Sequence, residues 1–173
     1  MRIVAGRWRG RKIEAPAGLA VRPTLDRVRE AWMSILQKDI PDARVVDLFA
    51  GSGALGLEAL SRGAARVDFV EKSTASLRVL LANIAKLDAG EAATVHRADA
   101  LQFAEGAEAG AYDIAFADPP YEGGGAQRLA AQWLQIPFAK VFSVEHSSSD
   151  KMPGSAETRR YGITAITIYR NEG

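Results

Sequence analysis

Three carboxylates occupy the ends of segments that are predicted to be parallel strands. Asp47, Glu71 and Asp99 each close or directly follow a run rich in apolar and β-branched residues. Ligands of open α/β sheets bind beyond the carboxyl ends of the strands, so the three side chains are expected to face one ligand. Carboxylates there repel a pyrophosphate and suit a cationic nucleoside such as S-adenosylmethionine. Asp47 is then expected to face its amino-acid end, Glu71 the ribose hydroxyls and Asp99 the adenine amino group.

A glycine-rich turn separates the first strand of the predicted sheet from the helix that follows it. Gly51, Gly53 and Gly56 have the spacing G-x-G-x-x-G, and Glu71 stands twenty residues after Gly51. This pattern is also the dinucleotide fingerprint, so an NAD-dependent reductase stays an alternative, as does a turn that needs glycine only for its backbone. The residues expected to bind the cofactor are Asp47, Phe49, Gly51, Ser52, Gly53, Glu71, Lys72, Asp99 and Ala100.

The tetrapeptide Asp118-Pro119-Pro120-Tyr121 follows the predicted strand 112–117 and has the character of a catalytic loop. Two prolines fix two φ angles and remove two amide donors, so the loop presents mainly acceptors. Such a surface suits an exocyclic base amine, whose N–H groups Asp118 and the Pro119 carbonyl would orient for in-line methyl transfer. Tyr121 is expected to stack on the base. All four residues are predicted to be catalytic, and the alternative is a rigid turn after a strand.

Positive charge is concentrated near the beginning of the chain. Residues 1–30 carry a net charge of +5 and the remainder −4, within a total of +1. A basic segment on a mildly acidic body indicates a polyanionic partner, although a solvated charged surface is the alternative. The short β-prone pieces 2–5 and 11–15 predict a basic hairpin. The residues expected to bind RNA are Arg7, Arg9, Arg11, Lys12, Arg22 and Arg27.

Strands and helices alternate along most of the chain, which predicts an α/β fold. A helix is predicted to open at Pro23-Thr24, ahead of this alternation. The later strands are predicted at 44–49, 67–71, 94–97, 112–117 and 140–145, with helices at 55–62, 73–87 and 127–134. The segments 159–161 and 163–169 predict a closing antiparallel pair. Strands separated by segments of helix length imply a mostly parallel sheet with helices on both faces.

Composition limits the classes of function. The 173 residues are 47% hydrophobic and 25% charged, which is ordinary for a globular protein. There is no cysteine and there are only two histidines, so neither a disulfide nor a metal site is expected. No apolar run has the length of a membrane span, and the N-terminus lacks the apolar core of a signal peptide. We therefore expect a cytoplasmic protein that does not engage a membrane.

The motifs together resemble those of a known group of enzymes. The Asp-Pro-Pro-Tyr loop is similar to that of class I methyltransferases, which modify exocyclic or amide nitrogens. More closely, the chain resembles the RsmD family of bacterial 16S rRNA guanine-N2 methyltransferases, through residues 2–11, 22–30, 47–64, 118–121 and 161–162. The resemblance implies a Rossmann-like, seven-stranded sheet, S-adenosylmethionine as methyl donor and small-subunit ribosomal RNA as substrate. It assigns Asp47, Gly51, Gly53, Glu71 and Asp99 to the cofactor and residues 118–121 to the target base.

The chain is expected to be organised in two parts. Residues 1–40 are expected to form a basic hairpin and helix extension that contacts RNA, and residues 41–173 a monomeric methyltransferase domain. The helix usual after the catalytic loop is expected to be shortened, because residues 122–137 are few and include Gly123-Gly124-Gly125. The alternatives are an adenine-N6 nucleic-acid methyltransferase with the same loop chemistry, a protein-glutamine methyltransferase, and a non-catalytic nucleotide-binding module of an RNA assembly.

Overall fold

Helices and strands alternate through the computed structural model, which describes residues 1–15 and 23–172, with no side chains for residues 23–25. The helices of this described part are α1 (Pro23–Ile35), α2 (Ala54–Ser61), α3 (Thr74–Lys86), α4 (Ala100–Glu105) and α5 (Gly125–Gln135). The strands are β1 (Arg44–Leu48), β2 (Arg66–Glu71), β3 (Ala93–Arg97), β4 (Tyr112–Ala117), β5 (Ala139–Ser147), β6 (Glu157–Tyr161) and β7 (Thr164–Arg170).

The seven strands form one sheet in the order β3-β2-β1-β4-β5-β7-β6. β1 pairs in parallel with β2 and β4, β2 with β3, and β4 with β5. β7 is antiparallel to both of its neighbours, β5 and β6. The strand order reverses between β1 and β4, so their carboxyl ends flank the crevice in which such sheets bind ligands. The predicted Rossmann-like, seven-stranded sheet with a closing antiparallel pair is confirmed.

Helices cover both faces of the sheet and create two apolar cores. α1, α2 and α3 supply residues such as Trp32 and Leu80 to the first core. α4 and α5 supply residues such as Trp133 to the second core. Alternate residues of β1 enter opposite cores, Val45 the first and Val46 the second. Burial on both faces explains why the central strands are nearly continuous apolar runs in the sequence.

The predicted N-terminal hairpin is present as a short antiparallel pairing, in which the amides of Ile3 and Ile13 donate to the carbonyl oxygens of Arg11 and Met1 at 2.9 Å around one bridge. This isolated antiparallel bridge joins Arg2 to Lys12. The amides of Val4 and Ala5 donate to the buried carboxylate of Glu58 on α2, at 2.9 and 3.1 Å. The Arg7 amide also donates to the Ser61 carbonyl oxygen at 2.9 Å, so the part of the segment between its paired ends is held against α2.

The same segment is part of the main apolar core. Ile3, Trp8 and Ile13 belong to the core that α1, α2 and α3 cover. Gly6, with φ +87, approaches α2 so closely that a Cβ there would lie 1.8 Å from the Ser61 carbonyl oxygen. Residues 1–15 are therefore held against the sheet domain by packing as well as by hydrogen bonds.

Two helices on the second face differ from what the sequence predicts. α4 was not predicted, because its six residues are too few for helical spacing to show. α5 has 11 residues and is longer than the predicted segment 127–134. Gly123 and Gly124, at φ +88 and +70, form the turn that leads directly into α5.

Candidate active site

Asp47 is a buried carboxylate near the carboxyl end of β1. The residue is 1% exposed, and its Oδ2 accepts the amide proton of Gly56 at 3.0 Å. Its Oδ1 is buried and has no hydrogen-bond partner among the described residues. Burial raises the pKa of Asp47 to about 8, with the Gly56 amide opposing the rise and the charge of Glu71 adding to it. A cationic donor from a ligand would satisfy Oδ1 and favour the ionised form.

The three glycines of the turn have different structural roles. A Cβ at Gly53 would lie 2.5 Å from Leu80 Cδ1, and a Cβ at Gly56 would lie 2.3 Å from Phe69 Cε1. Gly53 and Gly56 therefore allow close packing against neighbouring side chains. A Cβ at Gly51, where φ is +58, would meet no protein atom within 4 Å. Gly51 borders open space, and its backbone is the part of the turn that a ligand can approach.

Glu71, at the end of β2, stabilises the backbone of the same turn. Its Oε1 accepts the amide proton of Gly51 and its Oε2 that of Ser73, both at 2.8 Å. Each oxygen keeps a further lone pair, which can accept a ribose hydroxyl. A carboxylate on the Gly51 amide also places negative charge where a dinucleotide site would cradle a pyrophosphate. The turn therefore fits a cationic nucleoside better than it fits NAD.

Asp99 has two partners of its own at the beginning of α4. Its side chain caps the helix by accepting the Gln102 amide proton at 3.1 Å, and its Oδ2 lies 3.6 Å from Lys72 Nζ. The Gln102 amide is the main cause that lowers the pKa of Asp99, and Lys72 contributes. Asp99 is thus an ionised acceptor next to Ala100, and its contact with an adenine amino group stays a prediction.

Phe49 belongs to the glycine-rich turn between β1 and α2, called the cofactor turn from here on, and lies near the catalytic loop. Its φ of +58 is uncommon for a residue other than glycine and is typical of backbone that its surroundings constrain. A Cβ at Gly125, the first residue of α5, would lie 3.8 Å from Phe49 Cζ and 3.3 Å from Pro119 Cβ. Phe49 and Pro119 therefore both border the first residue of α5. The buried Ser52 ties the turn to α3, because its carbonyl oxygen accepts a proton from Asn83 Nδ2 at 3.0 Å.

Asp118 directly follows the carboxyl end of β4. The residue is accessible to solvent, although protein atoms are dense around its carboxyl group. Loss of hydration raises the pKa of Asp118 well above its ordinary value, and the neighbouring Glu145 and Asp47 raise it further. Water on the open side moderates this effect. Next in the loop, Pro119 is buried and Pro120 is exposed.

Tyr121 is the last residue of the loop, and it contacts Glu145, which was not among the predicted site residues. Its ring is 42% exposed and available for stacking, while its hydroxyl donates to Glu145 Oε1 at 3.1 Å. The same hydroxyl lies 2.5 Å from Thr164 Oγ1. Burial raises the pKa of Tyr121 to about 12. Glu145 ended the predicted strand 140–145, so the strand-end rule that selected Asp47 could have selected it.

Comparisons with known proteins agree with this geometry. A family profile described as "Conserved hypothetical protein 95" matches residues 1–170. "Ribosomal RNA small subunit methyltransferase D" of Haemophilus influenzae is 39% identical, over 99% of this chain and 94% of that protein. The protein of the same name from Escherichia coli K12 is 46% identical over 125 residues. The chain belongs to the RsmD family.

The extent of these matches differs between relatives. The alignment with the Escherichia coli sequence covers 72% of the RsmD-family chain and 62% of that relative. A solved structure described as "Putative methyltransferase yhhF from Escherichia coli" matches 99% of this chain and 98% of its own, with a TM-score of 0.84 and 36% identity. The fold of the RsmD-family chain therefore has a solved counterpart over nearly its whole length.

Among the described residues of the RsmD-family chain, the basic side chains that are predicted to bind RNA are exposed but not equally free. The Arg7 guanidinium carbon lies 4.2 Å from the centroid of the Trp8 ring, and an Arg11 side-chain nitrogen donates to the Lys86 carbonyl oxygen at 2.7 Å. The remaining predicted RNA contacts are Arg9, Lys12 and Arg27, which are exposed, and Arg22, which lies outside the described residues. Their contact with RNA stays a prediction.

Residues 1–15 and 23–172 contain no group of three or more histidine, aspartate or glutamate side chains that could hold a metal ion. In the same residues, no helix has both the length and the apolar character needed to cross a membrane.

Proposed function

We propose that this RsmD-family chain transfers a methyl group from S-adenosylmethionine to the exocyclic N2 amine of a guanine in 16S ribosomal RNA. The proposal includes a cytoplasmic monomer that acts on the small subunit or an assembly intermediate. The observation that carries it is that Phe49 and Pro119, which follow the paired strands β1 and β4, both border the first residue of α5. This arrangement sets a turn suited to a cationic nucleoside beside a loop rich in acceptors, as methyl transfer to an amine requires.

Three carboxylates around the cofactor turn can accept hydrogen bonds from the methyl donor. When bound, S-adenosylmethionine supplies an electrophilic methyl group. The unpartnered Oδ1 of Asp47 would accept a proton from its ammonium group, and Glu71 would accept its ribose hydroxyls. Asp99 would accept from the adenine amino group, while the open space at Gly51 admits the ligand against the backbone. These roles match the chemistry of the side chains to the charge of the donor.

The catalytic loop supplies the acceptors for the amine. The nitrogen lone pair of an exocyclic amine is delocalised into the base, so its N–H bonds must be held for the lone pair to face the methyl carbon. Asp118 and the carbonyl oxygen of Pro119 would accept these two N–H bonds. The raised pKa of Asp118 favours a neutral carboxyl, which still has one carbonyl oxygen to accept a proton. Stacking of the base on Tyr121 would contribute ~1–3 kcal/mol.

Ribosomal RNA is proposed as substrate for two reasons. The relatives from Escherichia coli and Haemophilus influenzae are named as small-subunit ribosomal RNA methyltransferases. The exposed arginines of the N-terminal loop, Arg7 and Arg9, and Arg27 on α1 offer positive charge for RNA phosphates. This charge would be of no use to a protein-glutamine methyltransferase.

A labelling experiment tests the proposal. The protein is incubated with radiolabelled S-adenosylmethionine and with small subunits, or their 16S RNA, from a strain that lacks the gene. The RNA is then digested to nucleosides and separated. We expect label in N2-methylguanosine and none with Asp118→Ala, which controls for contaminating enzymes. Label in N6-methyladenosine would instead support the adenine alternative. Donor binding without transfer to any RNA would support the non-catalytic module.

A further inference from the structure

Glu145 lies beside the catalytic loop, on the neighbouring strand. β4 and β5 are parallel, and Ala117 is paired with Val144. The next residues of the two strands are Asp118 and Glu145, so the register that aligns the strands also aligns these two carboxyl groups. Glu145 is 7% exposed. A carboxyl group buried to this extent requires hydrogen-bond partners, and its partners belong to the catalytic loop.

The first partner is Tyr121, and its hydrogen bond has a defined direction. The Tyr121 hydroxyl donates its single proton to Glu145 Oε1 at 3.1 Å. The contact between Tyr121 and Thr164 Oγ1, at 2.5 Å, must then have Thr164 as the donor. The chain of donors runs from Thr164 through Tyr121 to Glu145. Glu145 is thus the acceptor that fixes the tyrosine hydroxyl, and with it the ring.

The second neighbour is Asp118, whose carboxyl group the register of β4 and β5 places beside that of Glu145. Two carboxyl groups can form a hydrogen bond only when one of them carries a proton. Loss of hydration, then the charges of Glu145 and Asp47, raise the pKa of Asp118, which favours a proton held between Asp118 and Glu145. One oxygen of Asp118 is then engaged with Glu145, and the other is free to act as a carbonyl acceptor.

We propose that Glu145 is a positioning residue for the transfer, which orients Asp118 through a shared proton and Tyr121 through its hydroxyl. The free oxygen of Asp118 is thereby turned toward the amine, and the Tyr121 ring is held as the stacking surface. Glu145 itself does not contact the amine. This inference rests on the proposed function, because it gives Glu145 a purpose only within methyl transfer to a base.

Two substitutions at Glu145 distinguish a positioning role from an effect of side-chain size or charge. Glu145→Ala removes both hydrogen bonds. Glu145→Gln keeps the size, lets the amide oxygen accept from Tyr121 and lets the amide N–H donate to an ionised Asp118. We expect single-turnover methyl transfer to fall about 100-fold in Glu145→Ala and to stay within about fivefold of wild type in Glu145→Gln. Donor affinity should be unchanged in both, because Glu145 does not line the cofactor turn. Glu157→Gln, on the exposed edge strand β6, is the matched control.

A second measurement needs neither donor nor RNA. In protein labelled with ¹³C at aspartate carboxyl carbons, the Asp118 signal is assigned by its loss in Asp118→Asn and then followed with pH. We expect the pKa of Asp118 to fall in both Glu145 variants and to be unchanged in Glu157→Gln. Purely structural damage would lower the melting temperature of the protein and its donor affinity together, and Glu145→Gln would not restore activity.

Several results would overturn the proposal. A Glu145→Ala protein that is folded and as fast as wild type would remove Glu145 from the reaction. Equal losses in the Gln and Ala variants would show that the charge of Glu145, and not its hydrogen bonding, is required. An unchanged Asp118 pKa in both variants would exclude the shared proton. If the wild type methylates no RNA, the proposed function fails, and the role of Glu145 in it fails too. If it does methylate RNA, any of the three earlier results rejects Glu145 alone.

Discussion

The buried carboxyl of Asp47 makes binding of the methyl donor dependent on pH. With a pKa of about 8, Asp47 is mostly protonated at pH 7. Pairing with the ammonium group of the donor requires the ionised form, so affinity should rise as the pH approaches 8. Above that pH the ammonium group itself loses its proton, because an α-amino group has a pKa of about 7.8. The pH dependence of affinity should therefore have a maximum near pH 8.

The size of this effect follows from the two pKa values. Both groups are charged together in about 1% of molecules at pH 6, about 20% at pH 8 and about 5% at pH 9. Affinity for S-adenosylmethionine should thus increase about 20-fold from pH 6 to pH 8 and decrease above it. In Asp47→Asn the rise from pH 6 to pH 8 should disappear, since the amide does not titrate. The amide oxygen can still accept the Gly56 proton, so the turn is expected to keep its shape.

Calorimetric titration in buffers of different ionisation enthalpy measures both affinity and proton release. Wild type should release protons on binding the donor at pH 7, and Asp47→Asn should release markedly fewer. 5′-Methylthioadenosine, which has the nucleoside but no amino-acid end, is the control ligand, and its affinity should be nearly independent of pH. Equal pH profiles for wild type and Asp47→Asn would refute the pairing of Asp47 with the ammonium group.

The same pKa predicts how stability changes with pH in the donor-free protein. The pKa of Asp47 is 3.8 as a free side chain and about 8 in the folded protein. The contribution of its carboxyl group to stability is therefore complete below pH 3.8 and is lost as the pH rises through about 8. At pH 7 Asp47 is ionised in the unfolded chain but mostly protonated in the folded protein. This difference lowers the free energy of unfolding, relative to its value at acid pH, by at most ~4 kcal/mol. Asp47→Asn should therefore have a higher free energy of unfolding than wild type at pH 7 and a similar one at pH 4, as measured by urea denaturation.

Three further predictions follow from the site and its surroundings. Glu71→Ala should raise the dissociation constant for S-adenosylmethionine at least about tenfold, because charge-assisted hydrogen bonds contribute roughly 1.5–3 kcal/mol each; unchanged affinity in calorimetry would remove Glu71 from the site. Asp118→Ala should leave donor affinity nearly intact while single-turnover transfer falls by orders of magnitude, and rates within a few-fold of wild type would contradict its acceptor role. Changing Arg7 and Arg9 together to Ala should flatten the slope of log K for RNA against log salt by about 1.4, at about 0.7 per phosphate. An unchanged slope in a protein with normal melting temperature would show that these arginines do not hold phosphates.

The strand-end rule selected most of the proposed site residues but could not show which groups they contact. Asp47, Glu71 and Asp118 were all predicted from their places after apolar runs. The sequence did not show that Asp99 caps α4 or that the register of β4 and β5 sets Asp118 beside Glu145. Such partnerships depend on distances between atoms of different elements, and neither periodicity nor spacing contains them.

The N-terminal segment shows what local preference can and cannot predict. Its β-prone pieces predict a hairpin, and the ends of the segment do pair in antiparallel fashion. Between these ends, the amides of Val4 and Ala5 donate to the buried carboxylate of Glu58, more than fifty residues away. This anchoring to α2 depends on the packing of distant segments, so local preference does not predict it.

The sequence by itself determined the class of fold and the places of the glycine-rich turn and the Asp-Pro-Pro-Tyr loop. Apolar runs buried on both faces imply a parallel sheet, and glycines and prolines limit the backbone wherever they occur, so these features are local. Only the tertiary structure decided that Gly51 borders open space while Gly53 does not, and that β5 brings Glu145 to Asp118. Burial and strand register are properties of the packed chain. They set the hydration and pairing of each carboxyl group, and therefore its protonation state.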